Sequence, residues 1–185
     1  MIAAKEKSTL KIKKLVLAAL LLALGLVLPF LTGNIPQIGS MLLPMHLPVL
    51  LCGFVCGWKW GLCVGFVLPI LRNLLFGMPP MIPTALCMAF ELAAYGAVSG
   101  LCYGLFRQNR LRVLISLLIA MVCGRVVWGI VSFLEYALFM GKSFSLAMFW
   151  AGGFANAWPG MILQLVLIPL VIYALERARL VPLKD

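Results

Sequence analysis

From Leu15 to Leu175 the chain is a succession of apolar stretches joined by short segments rich in glycine, proline or basic residues. Most of the stretches are near the roughly 20 residues that a helix needs to cross a bilayer. Hydrocarbon offers a backbone no hydrogen-bond partner, so an apolar run of this length satisfies its own N–H and C=O groups by becoming a helix. Composition points the same way: of 185 residues, 64% are hydrophobic and 11% charged, and the mean hydropathy is +1.13. The chain reads as an all-α integral membrane protein, a single transmembrane domain over residues 1–185. It leaves no length for a soluble catalytic or nucleotide-binding domain.

A six-transmembrane-helix bundle is expected, with spans at about 11–31, 46–57, 60–76, 82–106, 111–140 and 149–175 after a short basic segment at about 1–10. The first span lacks a small-x-small cleavage pattern at its end and is read as a retained helix rather than a signal peptide. It leads into the uncharged, turn-rich loop Thr32 to Ser40. The second meets Gly57-Trp58-Lys59-Trp60-Gly61, where a lysine between two tryptophans suits a membrane interface. With only about a dozen residues it is short of a full crossing, so a tilted, shortened or re-entrant segment stays open. Fused with the third span it would leave five crossings and put Arg107, Arg110 and Arg112 outside.

The net charge is +10, yet its placement argues for membrane topology and against a nucleic-acid partner. With six spans and an inside N-terminus, Lys5, Lys7, Lys11, Lys13, Lys14, Lys59, Arg107, Arg110, Arg112, Arg177, Arg179 and Lys184 fall on one side and Lys142 alone on the other. The positive-inside rule then makes both termini cytoplasmic. The cysteines lie within apolar segments without a CxxC pair or a neighbouring histidine. They read as small packing residues, with no disulfide and no metal or other cofactor expected.

Four charges remain inside the spans: Arg72, Glu91, Arg125 and Glu135. At bilayer depth each costs roughly 2.5–3.5 kcal/mol on insertion scales and persists only if paired, wetted or used. Glu91 lies near the midplane, about 13 Å below the outer end of its helix at the helical rise. Arg72 and Glu135 lie nearer that end, so the polar interior is biased outward. Glu91 paired with Arg72 or Arg125 in an interhelical ion pair is the bland account; contact with a ligand is the sharper one. His46 is expected near the outer surface in an interfacial role. Glycines recur every fourth residue at Gly57, Gly61 and Gly65 and at Gly96, Gly100 and Gly104, a spacing that lets helix backbones approach in lipid.

The run MHLPVLLCGFVCGWKWGLCVGFVLPILRNLLFGMPP at Met45 to Pro80, followed by MAFELAAYGAVSGLCYG at Met88 to Gly104, resembles the substrate-binding S components of energy-coupling factor (ECF) vitamin transporters. The likeness covers most of the chain and loosens after Arg107. It implies a subunit that captures a micronutrient from outside and works with a transmembrane coupling protein and two ATPases. The absence of a P-loop GxxxxGK[ST] fits an energy source in partners. An AxxxA pattern on the first helix contacts the coupling protein in that family, and Ala19 and Ala23 match it. The family's pocket faces outward, is roofed by the loop after the first helix and is lined by helices four to six. Carried onto this chain, that gathers Asn34, Gln37, Arg72, Glu91, Arg125, Glu135, Tyr136, Asn156, Trp158 and Gln164. Membrane-interface anchoring is the rival role for Tyr136 and Trp158.

Arg125 is the foremost expected ligand contact, because a guanidinium grips a carboxylate in a bidentate fork and keeps its proton. A carboxylate-bearing vitamin such as pantothenate is therefore leaned toward. Two other classes compete. An intramembrane enzyme on a lipid-linked substrate would have only Glu91 and Glu135 as an acid pair, on different helices and at different depths. A cell-envelope scaffold would tolerate neutralising Arg125.

Overall fold

The computed structural model describes residues 2–31, 35–106, 111–141 and 144–178, and among them every regular element is helical. The long helices are α1 (Ile2–Leu31), α4 (Trp58–Phe76), α5 (Leu86–Leu105), α6 (Arg112–Glu135) and α8 (Trp158–Arg177). Between them lie the shorter α2 (Pro36–Leu42), α3 (His46–Cys56) and α7 (Leu146–Trp150). Wider, π-type turns at Tyr136–Met140 and Ala151–Ala155 prolong α6 and α7 forward, whereas in Met81–Ala85, ahead of α5, the backbone at Ile82 is extended (φ −118°, ψ 131°) and the chain is kinked. Five helices among the described residues are long and apolar enough to cross a membrane. Leu20, Val122 and Val166, all exposed, stand on the outer faces of α1, α6 and α8, where hydrocarbon suits them.

Helix α3 explains why its stretch is so short in sequence. All of its residues but Leu51 are buried, packed among α1, α4, α5 and α8. A helix that other helices enclose has no need to match the thickness of the lipid. Its exit is Gly57, whose φ of 96° and ψ of 169° suit only glycine. The chain there reverses into α4 within one residue.

The α3, α4 and α5 axes approach closely through glycine. A Cβ on Gly61 would overlap the Gly96 carbonyl, one on Gly65 would overlap the Leu92 carbonyl, and one on Gly53 would meet both Ser99 and Gly96. Gly104 and Gly57, which complete the two sequence stripes, have open space around them. The core around the seam is Leu50, Phe54, Leu68, Leu92, Tyr95 and Ile168.

Three sequence expectations change. The loop after the first helix is not turn throughout but contains α2. The run expected at 149–175 is divided, because α8 starts only at Trp158. Pro159 in its first turn has no N–H to give upstream and its ring would clash with a continuing helix. His46 is not interfacial: it is completely buried.

At one end of the bundle Arg112 Nη2 stands 2.8 Å from Glu176 Oε1, and the Tyr103 hydroxyl donates to the same carboxylate. The Arg112 guanidinium also lies 4.8 Å from the Tyr103 ring centroid. These contacts tie the end of α5, the start of α6 and the end of α8 together. A cavity lies at the other end.

Candidate functional site

A cavity of about 530 Å³ opens at the end of the bundle formed by the end of α1, the start of α3, the end of α4 and the start of α5. This size is ordinary for a small-molecule site. One side is α2 with its flanks, through Ile35, Gly39 and Leu43; the other is the Met78–Pro80 link and Thr84. Asn73 holds that link by donating from Nδ2 to the Pro79 carbonyl at 2.7 Å. Met88, Trp128 and Asn156 line the cavity further along the chain, and most of the wall is apolar.

The polar floor is a row of three side chains from three helices. Glu91 of α5 sits between Arg125 of α6, whose Nη1 is 2.9 Å from Oε1, and His46 of α3, whose Nε2 is 3.4 Å from the same oxygen. The residues are 0% (His46), 2% (Glu91) and 3% (Arg125) exposed. Beneath them the Tyr95 ring meets His46 edge-on, with centroids 4.9 Å apart, and Gly124 leaves room for that ring on α6. A carboxylate next to a guanidinium is the compensation that a charge at this depth requires. Yet the angles do not close hydrogen bonds within the row. Both His46 ring nitrogens, Glu91 Oε1, and Arg125 Nε and Nη2 have no hydrogen-bond partner among the described residues.

Arg72 lines the cavity from α4 and is stabilised differently. It donates from Nη1 to the Leu26 carbonyl and lies 4.9 Å from the Phe30 ring centroid and 5.4 Å from that of Phe76. Cation–π contact of this kind is stronger where water is scarce. Trp128 is wedged near Gly152, where a Cβ would press on its ring, and its ring neighbours are Phe144 and Phe149.

Of the residues expected at the site, Arg72, Glu91, Arg125 and Asn156 are brought to the cavity. Asn34 lies outside the described residues. Gln37 is exposed on α2 and is not part of the wall, although Ile35 and Gly39 beside it are. Glu135 is buried further along α6, away from the cavity wall, with no hydrogen-bond partner for its carboxylate among the described residues. Tyr136 faces Phe144 at 5.5 Å, and Trp158 is 56% exposed. Gln164 is fully buried in α8 without lining the cavity.

Sequence reasoning missed His46, Met88 and Trp128. For the last two a signal existed: Met88 precedes Glu91, and Trp128 follows Arg125, by three positions, which puts each on its partner's helix face. His46 carried no such signal. Ala19 and Ala23 are exposed on α1 and take no part in the cavity.

The arrangement can hold a small molecule with an apolar body against a few converging polar groups. No cluster of three or more metal-ligating His, Cys, Asp or Glu side chains occurs among the described residues. In comparisons with known proteins, a family model described as "ECF transporter, substrate-specific component" matches residues 13–172. No curated protein and no solved structure matches the chain.

Proposed function

Because the chain belongs to the substrate-specific components of ECF transporters, we propose that its cavity captures a vitamin or related micronutrient from outside and delivers it with a coupling protein and two ATPases. Members of this family are membrane-embedded transport components, not enzymes; they bind small substrates and work with a membrane T component and ATPases. The alternative of an intramembrane enzyme is therefore set aside.

The observation that carries the reading is the buried row His46, Glu91 and Arg125 on the floor of an otherwise apolar cavity. Solid protein gains little from burying three such groups with their hydrogen-bonding capacity unused, whereas a ligand site needs that capacity. In the proposed topology α3 counts as the sixth span of a single domain over residues 1–185, and both termini are cytoplasmic. Two features support it. The basic residues gather by the positive-inside rule, and the cavity lies at the end of the bundle opposite Arg112 and Arg177. The cavity then faces the exterior, with α2 and Gln37 as its outer cover. The lean toward a carboxylate-bearing vitamin such as pantothenate is kept, but the expected anion contact moves from Arg125, which already faces Glu91 at 2.9 Å, to Arg72 on the cavity wall.

Native mass spectrometry of gently purified protein tests this. A small molecule of vitamin size should leave with the protein and dissociate on activation. If nothing co-purifies and no added vitamin binds below about micromolar, a level that marks only about −8 kcal/mol of binding, the receptor reading is wrong.

A further inference from the structure

The geometry points to an uncharged N–H/C=O edge, of an amide, lactam, imide or ureido group, as the part of the substrate that docks on His46, Glu91 and Arg125; a substrate carboxylate is not held there. This deepens the proposed function and rests on it.

The argument is one of charge and of donor order. Arg125 taken alone would be a carboxylate clamp, but Glu91 Oε1 already lies 2.9 Å from its Nη1. A second carboxylate on the same guanidinium would stand beside Glu91 in a nearly water-free floor, where two like charges repel strongly. Arg125 and Glu91 together present no net charge to an incoming group. They do present hydrogen-bonding capacity, with the donors of Arg125 beside the acceptor of Glu91. Arg125 offers N–H donors at Nε and Nη2, Glu91 between its two neighbours offers an acceptor at Oε1, and His46, as a neutral imidazole, offers one ring nitrogen that donates and one that accepts.

Donors on Arg125 beside an acceptor on Glu91 are the complement of the C=O and N–H of an amide, and a His46 nitrogen that carries the proton extends the match to the C=O, N–H, C=O edge of an imide. All three residues are more than nine-tenths buried and line the cavity, and these atoms have no other hydrogen-bond partner among the described residues. Met88 and Trp128, one helical turn from Glu91 and Arg125, supply apolar surface beside the row for the body that carries the edge. A site built to hydrogen-bond such a group rejects analogues lacking it, because its own buried groups would be left unpaired.

The test uses the full chain in detergent or nanodiscs and five probes: pantothenate against panthenol, nicotinate against nicotinamide, and riboflavin, which carries an imide edge and no carboxylate. A molecule identified by native mass spectrometry joins them. Whichever of these binds the wild type is titrated into Glu91→Gln, His46→Leu and His46→Gln by calorimetry. Losing a charge-assisted hydrogen bond should weaken binding about tenfold or more in Glu91→Gln. His46→Leu should weaken it as well, and His46→Gln, which restores a donor, should recover much of the loss.

The opposite sign overturns the inference. If an anion sits on Arg125, removing the neighbouring negative charge leaves its affinity unchanged or raises it. That result would leave the transporter reading standing. Should Glu91→Gln fail to fold, the two His46 variants decide, because an insensitive affinity in both also overturns the inference. If no probe binds and nothing co-purifies, the receptor reading fails and takes this inference with it.

Discussion

Arg125 and Glu91 are a pair whose members depend on each other more than the fold depends on the pair. Removing one partner of a buried ion pair strands the other charge and costs about 3–5 kcal/mol, while replacing both by apolar groups of similar volume is often close to neutral. Arg125→Leu alone should therefore lower the melting temperature in detergent sharply. Glu91→Leu combined with Arg125→Leu should recover most of that loss, although binding stays abolished. A double variant no more stable than the single one would show that Glu91 is compensated by another group. That charges inside apolar runs must be compensated was legible in the sequence. Which partner each one takes was not, because that depends on how the helices are rotated. Arg72 settles against a carbonyl and two phenylalanine rings. Arg125 and not Arg72 takes Glu91, and a histidine that the sequence suggested was superficial completes the row.

Among the elements, the close approach of α4 and α5 is set by single glycines, and the stripe that carries them holds its own control. Gly96 and Gly104 look equivalent in sequence, two members of one four-residue repeat. In the fold a Cβ at Gly96 would overlap the Gly61 backbone carbonyl, whereas nothing lies within 4 Å of one at Gly104. Backbone cannot step aside as a flexible side chain can. Gly96→Leu should cost at least the roughly 1–3 kcal/mol of an overpacked core and reduce the monodisperse fraction on size-exclusion chromatography. Gly104→Leu should elute as the wild type does, and equal behaviour of the two variants would contradict the seam. Small residues at helical spacing thus announced the packing but not the crossing point. The length of α3 was ambiguous for a related reason, since pattern alone does not tell a short helix enclosed by others from half of a re-entrant hairpin. The division between Ala155 and Trp158 was hidden by an apolar run that continues on both sides of it.

Across the whole molecule, the cavity and the α1 face proposed for coupling lie apart, and on the proposed reading this makes binding and coupling separable. The cavity occupies one end of the bundle, while Ala19 and Ala23 lie on the outer face of α1 with exposed Val16, Leu20 and Val27 around them. Neither alanine lines the cavity, and each leaves a shallow place between larger side chains where a second helix can approach closely. On the proposed reading that face meets the coupling protein. Replacing both alanines by tryptophan fills it and adds bulk that only a neighbouring protein would feel, because lipid chains rearrange around a protruding ring. Uptake of the labelled substrate by cells that carry the energising subunits should fall to background. The dissociation constant of the purified variant should stay within about twofold of wild type, a difference of about 0.4 kcal/mol. Uptake at the wild-type rate would remove α1 from the coupling surface, and a lost affinity would mean that the α1 face and the cavity are mechanically joined.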